Sequence, residues 1–320
     1  MRAVRNPLFR ALVGRVVQIV PVTILATVIV FGLLQLLPGD PAAAIAGENA
    51  TVERIAALRQ QLGLDQPLIA QYWLWLSHAV QGDLSKSLIS GQDVLPFVMH
   101  VLPNTLYIVF GALFLSLVLG VPLGIFAASR VRTPVDGLIT SVVSLGMALP
   151  HFWAGMILVS LFALSYGLLP ATGGVSDSAD LYEGLRHAIL PAVALALGGV
   201  PEVTRQLRSA LLEELSSQHV RTLHAKGLSD LSVLWKHCLK NVAVTLATVS
   251  GLLFNRLLGA TVAIEIVFAI PGVGSAIVNA ALQKDLPVIQ GIMAILVVMV
   301  ITANILIDVI CAIIDPRIRR

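Results

Sequence analysis

Residues 16–37 run for twenty-two positions without one charged side chain, directly after Arg2, Arg5, Arg10 and Arg15. About 20 mostly apolar helical residues cross the hydrocarbon core of a bilayer. This run therefore places the chain in lipid, or makes it the leader of a secreted protein. Ala42-Ala43-Ala44 would offer a cleavage site, but the apolar core of a signal peptide is only about 7–15 residues long. The run is too long for that and is taken as a first membrane span. The rest of the chain agrees: 57% of the 320 residues are hydrophobic and 12% are charged. A soluble domain carries about 25% charged residues. That balance excludes a disordered, collagenous or disulfide-stapled chain. Two cysteines, Cys238 and Cys311, supply neither a metal-ligand spacing nor a disulfide framework.

Five further spans follow by the same criterion. They cover residues 102–129, 137–165 with Pro150 in the middle, 187–203 with a kink at Gly198-Gly199 and Pro201, 242–270, and 287–314. The expected fold is thus an all-α integral membrane protein with six transmembrane helices. Lysine and arginine favour cytoplasmic loops. Fifteen of them fall on the side that holds both termini, the 130–136 loop and the 202–240 segment. Five (Arg54, Arg59, Lys86, Arg186 and Lys284) fall on the other side. Both termini are accordingly expected in the cytoplasm, with both thiols near its reducing face.

Three regions result: residues 1–37 with the N-terminus and first helix, an external insertion over 38–100, and a core over 101–320 with five helices. In the insertion, Val52, Ile55, Leu58 and Leu62 repeat at near-helical spacing before Gly63. A second helix after Pro67 carries Tyr72, Trp73 and Trp75 and stops at Gly82. Its aromatics suit either a membrane–water boundary or the core of a small cap. Asn49-Ala50-Thr51 matches a glycosylation sequon too short to weigh.

Between spans four and five, residues 202–241 carry six basic and four acidic side chains. Helix-forming runs over 206–226 and 230–240 flank Gly227, which can take the positive φ of a sharp turn. A helix–glycine–helix elbow is expected there, with Ala225, Lys226, Leu228 and Ser229 at its tip. Physics alone equally allows a plain helical hairpin that docks on nothing.

The run Arg221-Thr222-Leu223-His224-Ala225-Lys226-Gly227-Leu228-Ser229 resembles the cytoplasmic "EAA" loop of binding-protein-dependent ABC transporter permeases, in the form of the dipeptide/oligopeptide/nickel branch. Further matches are Leu36-Leu37-Pro38-Gly39-Asp40-Pro41, Leu62-Gly63-Leu64-Asp65-Gln66-Pro67, Gly82-Asp83-Leu84, Glu265-Ile266-Val267-Phe268 with Pro271-Gly272-Val273-Gly274, and Asp315-Pro316-Arg317-Ile318-Arg319. The ordered set spans nearly the whole chain. It departs from the branch at Leu223 (usually alanine), His224 (usually arginine) and Val244-Thr245 (usually Leu-Pro).

The resemblance implies a permease subunit of an ATP-driven importer of short peptides or related solutes in a bacterial inner membrane. Its elbow, over about 204–240, would be a coupling helix in a groove of an ATPase, with Arg221, Ala225, Lys226, Gly227, Leu228 and Ser229 at the contact. Implied partners are a second related permease, two cytoplasmic ATPase subunits and an external substrate-binding protein. Membrane lipid surrounds the chain, and no nucleic acid is expected. No cofactor is expected in this chain, since ATP and magnesium would sit on the partners; no phosphate-binding Gly-x-x-x-x-Gly-Lys-Ser/Thr occurs. An enzyme is not indicated, for the seven histidines are scattered without a His-Glu-x-x-His pattern. An ion-gradient-driven secondary transporter is the alternative, though no inverted pair of broken helices stands out.

Ionisable groups within spans face the bundle interior or a wet cavity. Arg256 lies fifteen residues beyond Asn241, about 22 Å at 1.5 Å per residue. With Asn255 it is a candidate for the translocation path or an interhelical ion pair at the subunit interface. Glu265 falls on the opposite face and is expected to fix the Pro271-Gly272 turn. Asn304 and Asp308 are expected to bond between helices. Gly120, Gly124, Gly198, Gly199 and Gly251 are candidate close contacts; chance is the default for any one Gly-x-x-x-Gly.

Overall fold

A computed structural model describes residues 7–36, 40–46, 50–175 and 181–314. Residues 37–39 of the first matched motif, Asn49 of the sequon, and the Asp315-Pro316-Arg317-Ile318-Arg319 run lie outside them. The first helix, α1, spans Pro7–Leu34, with Pro21 inside it. Three short helices follow: α2 (Pro41–Ala46), α3 (Val52–Gln61) and α4 (Leu68–Val80). Gly63 (φ +65°) and Gly82 (φ +83°) close α3 and α4 by the same device. In each, the two amides after the helix turn back to bond the carbonyls of its last turn. Tyr72 of α4 is buried on α1, with its hydroxyl 3.0 Å from Thr27 Oγ1 and its ring edge-on to Phe31. Trp73 stays exposed.

The long elements come next: α5 (Val94–Ser129), α6 (Pro134–Ala148), α7 (His151–Leu158, running into a π turn over Val159–Ser165) and α8 (Leu181–Leu215). Beyond them lie α9 (Gln218–Ala225), α10 (Asp230–Ser232, leading through a π turn over Val233–Cys238), α11 (Leu239–Val267), α12 (Val273–Gln283) and α13 (Leu286–Ile314). Among the described residues there is no sheet, only an isolated bridge between Lys86 and Asp93. Helices α5, α8, the continuous stretch Asp230–Val267 and α13 are each long and apolar enough to cross a membrane. The α6–α7 pair makes a fifth span if it is counted as one.

Two expectations about the spans need correction. The third span was expected to tolerate Pro150 within one helix; the chain instead breaks there and bends by 93°. Leu149 (ψ 124°) and Pro150 (ψ 132°) are both extended, as the clash of a proline ring with its predecessor favours. The two halves then seat separately, Gly146 on Pro201 of α8 and Gly155 on Phe268 just past the end of α11. The fourth span was expected over 187–203. It is a 35-residue helix that carries both Pro191 and Pro201 and reaches Leu215. Glu202, counted above in the segment outside the membrane, is therefore inside this helix.

Within lipid, helices associate through close packing rather than through apolar burial, so small residues matter at contacts. Helices α5 and α8 form the most extensive pair. A Cβ added at Gly120 would sit 2.8 Å from Val203 Cβ, and one at Gly124 would sit 3.0 Å from the Thr204 carbonyl oxygen. Gly111 lies against Ala192, Gly199 against Ser116, Gly198 against His151, and Gly251 against Ile307. Chance does not account for Gly120 and Gly124, because both sit where the α8 backbone passes. Gly120→Val is expected to push the pair apart, at about 1–3 kcal/mol for an overpacked contact. The check is a lower unfolding midpoint in detergent, and an unchanged midpoint would contradict the tight contact.

Candidate coupling site and polar groups within the helices

The elbow is built from both sides of Gly227. The expected continuous helix over 206–226 is two helices, because α8 stops at Leu215 and Ser217 starts α9. Ser217 is extended (ψ 155°) and its hydroxyl accepts from the Val220 amide at 3.3 Å, as an N-cap serine does. One face of α9 faces inward: Val220 is 1% exposed, in a cluster with Leu207, Leu211, Val233, Leu234, Cys238 and Val242. The other face leaves Arg221, Thr222, His224, Ala225 and Lys226 exposed.

Gly227 has φ +82°. Its amide bonds the His224 carbonyl at 2.9 Å and the Leu228 amide bonds that of Leu223 at 3.3 Å, a Schellman closure. Leu223 and Leu228 both pack on the same apolar cluster, so leucine at 223, where the branch usually has alanine, helps clamp the turn. His224 Nε2 reaches Asp230 Oδ1 across the turn at 3.3 Å. The Ser229 hydroxyl accepts from the Ser232 amide and starts the next helix. At the root, Asn241 Nδ2 donates to Glu214 Oε1 at 2.7 Å, tying α11 to the end of α8. Val244 lies within α11, its carbonyl accepting from Thr248 Oγ1 at 3.0 Å, and Thr245 is exposed.

A second tie was not visible in the sequence, where Arg208 counted only as a topology charge. Its Nε and Nη2 donate to Asp136 Oδ1 and Oδ2, each at 2.7 Å, and Asp136 also accepts the Arg132 amide. This two-pronged bond fixes the first turn of α6 to α8 just short of the elbow. The partners are 72 positions apart, and no local pattern announces them.

The intramembrane candidates separate by face. Arg256 Nη1 pairs with Glu202 Oε2 of α8. Asn255 Nδ2 donates to Asn304 Oδ1 of α13 at 3.0 Å; Asp308 lies one turn beyond Asn304. Glu265 faces the other way, as its nine-residue separation from Arg256 requires. It is fully buried and accepts from Thr105 Oγ1 of α5 at 2.6 Å and from the Ser275 amide of α12 at 2.7 Å. Thr105 Oγ1 accepts in turn from the Val273 amide, and Asn104 Nδ2 donates to the Pro271 carbonyl at 2.7 Å. Glu265 therefore holds the Pro271-Gly272 turn, with Asn104 and Thr105 as partners that sequence reasoning missed. Likewise Asp285, buried between α12 and α13, accepts from Ser87 Oγ at 2.5 Å and the Leu88 amide at 3.1 Å.

One face of α11 stays open along its length: Asn241, Thr245, Thr248, Leu252, Arg256, Gly259 and Ala263 are all exposed. Glu202, Arg205, Gln206 and Ser209 continue this polar lane on α8, and α13 adds exposed Thr302 and Asn304 to an otherwise largely apolar surface. Among the described residues no group of three or more His, Cys, Asp or Glu could hold a metal.

The described residues thus form a helical bundle with several helices of membrane-crossing length and a capped helical elbow at one end. The chain belongs to the family described as binding-protein-dependent transport system inner membrane component, which matches residues 120–320; the N-terminal region of such components matches residues 8–108. It is an ABC transporter permease of the peptide-transport kind, a multi-pass protein of the inner membrane. A Brucella abortus chain named for a peptide transport system permease is 38% identical over 305 residues, 95% of this chain and 97% of that one. The oligopeptide transport system permease AppB of Bacillus subtilis is 33% identical over 311 residues (96% and 98%). The glutathione transport system permease GsiC of Escherichia coli is 36% identical over 308 (96% and 98%). Among solved structures, the inward-facing MetNI methionine ABC transporter aligns with a TM-score of 0.56 at 17% identity, over 68% of this chain and 96% of that one. That likeness concerns the fold alone.

Proposed function

We propose that this chain is one of two membrane-spanning halves of an ATP-driven importer that carries short peptides inward by alternating access. Counting α1 and the bent α6–α7 pair as spans gives six crossings, and the lysine and arginine asymmetry supports cytoplasmic termini. The elbow over residues 216–229 then faces the cytoplasm and seats in a groove of an ATPase subunit. ATP-driven closure of that subunit pushes on α9, and α8 and α11 carry the displacement to the membrane core as rigid levers. A second, related permease completes the path, an external binding protein delivers the solute, and the ATPase pair holds ATP and magnesium. The names of the curated relatives support peptides as the solute class.

The observation that carries the reading is the construction of the elbow. Its inner face is anchored by Val220, Leu223 and Leu228, while Arg221, His224 and Lys226 are left exposed on its outer face. That exposed basic face, at a fixed turn, is the surface an ATPase groove would grip.

Crosslinking tests it. Cys238 and Cys311 are both buried, so a thiol introduced by Lys226→Cys is the reactive one on this chain. Oxidation of the assembled transporter, with a cysteine set in the candidate ATPase groove, should join the two subunits, and ATP should change the yield. A thiol at 226 that never joins the ATPase in any nucleotide state sinks the proposal.

A further inference from the structure

A guanidinium near the middle of a membrane helix costs roughly 2.5–3.5 kcal/mol on insertion scales, and persists where it is paired and faces water or a binding partner. Arg256 is paired, and its side chain lies open on the surface of this chain. Its Nη1 is held by Glu202, whose side chain is only 12% exposed, while the Arg256 side chain is 62% exposed. Glu202 therefore fixes one prong of the fork from behind, and the remainder points into the open lane along α11. Nearby, at the break between α6 and α7, the ring of His151 lies against Gly198, one helical turn from Glu202 on the same face of α8. Its Nδ1 is buried with no hydrogen-bond partner.

The group that suits a partly occupied guanidinium fork is a planar oxyanion, since two parallel N–H bonds match a carboxylate. Every linear peptide presents one such group at its C-terminal end, whatever its side chains. We infer that Arg256, oriented by Glu202, binds the C-terminal carboxylate of the substrate midway along the path, making it a subsite that reads the end of a peptide rather than its sequence. This rests on the import reading above. Glu202 is a positioning residue here and touches no substrate.

The test uses the complete transporter in proteoliposomes, with the second permease, ATPase subunits and binding protein present. ATP-driven uptake of trialanine is compared with uptake of trialanine amide. Arg256→Gln should lower trialanine uptake by about tenfold, as expected for losing a charge-assisted bond, and leave amide uptake within about twofold. Arg256→Lys should restore much of the preference. The same binding protein serves every variant, so its own selectivity cancels in the comparison. An equal fall for both peptides in an intact complex would make the pair purely structural and overturn the inference. So would no change for either peptide, or loss of the second permease on purification, which would place Arg256 at a subunit interface. Wild-type transporter that takes up neither peptide while hydrolysing ATP would instead overturn the import reading, and this inference with it.

Discussion

Gly227→Val is expected to reduce ATP-driven uptake by an order of magnitude or more while the chain remains inserted and assembled. No neighbouring atom lies within 4 Å of a Cβ placed there, so the effect is not a clash. It comes from the backbone: φ is +82°, where an L-residue carries about 1–2 kcal/mol of strain and a β-branched one more. Two to three kcal/mol against the closed turn is about thirty- to 150-fold in its population. The Gly227 and Leu228 amides would leave the His224 and Leu223 carbonyls, and α9 would lose its fixed angle to α8 and α11. Uptake and ATP hydrolysis, measured together, should separate, with hydrolysis continuing without transport. Gly227→Asn supplies the control, because asparagine visits the left-handed region readily and should keep most of the activity. Unimpaired transport by the valine variant would remove the elbow from the coupling path.

Glu265→Ala is expected to have the largest effect on stability. The Thr105 hydroxyl and the Ser275 amide both donate to this fully buried carboxylate. Unpaired buried donors cost about 1–3 kcal/mol each, so losing the acceptor of both is expected to cost about 2–6 kcal/mol in total. The first turn of α12 would detach from α5 and α11, and the unfolding midpoint and yield in detergent should fall together. Glu265→Gln should fall between, since its amide oxygen can still accept one of these bonds. A midpoint for the alanine variant equal to that of wild type would contradict the described role.

The sequence revealed what local chemistry dictates. Long charge-free runs marked the helices, and glycines 63, 82 and 227 marked chain turns that need positive φ. It was weaker where distant contacts decide. Pro150 could kink a helix or break it, and the outcome depends on where each half finds a seat, Gly146 on Pro201 and Gly155 on Phe268. Glu202 resembled a loop charge because Arg205 and Arg208 follow it. Inside α8 it pairs with Arg256, fifty-four positions away. The break at Ser216-Ser217 was the one omission with a local signal, a serine cap ahead of a short amphipathic stretch. Leu223 made sense only once the clamp beneath the turn was seen.

The glycine-lined contact between α5 and α8 limits how the bundle can deform. Along Gly111, Gly120, Gly124 and Gly199 the two backbones approach too closely for either helix to roll past the other. They act as one beam with a single orientation, braced to α6 by the Arg208–Asp136 fork. Freedom to change shape therefore lies outside this beam, at the right-angle corner after Leu149 and along the thinly covered α13. A switch between two shapes would tilt the beam as a unit about those places rather than shear it.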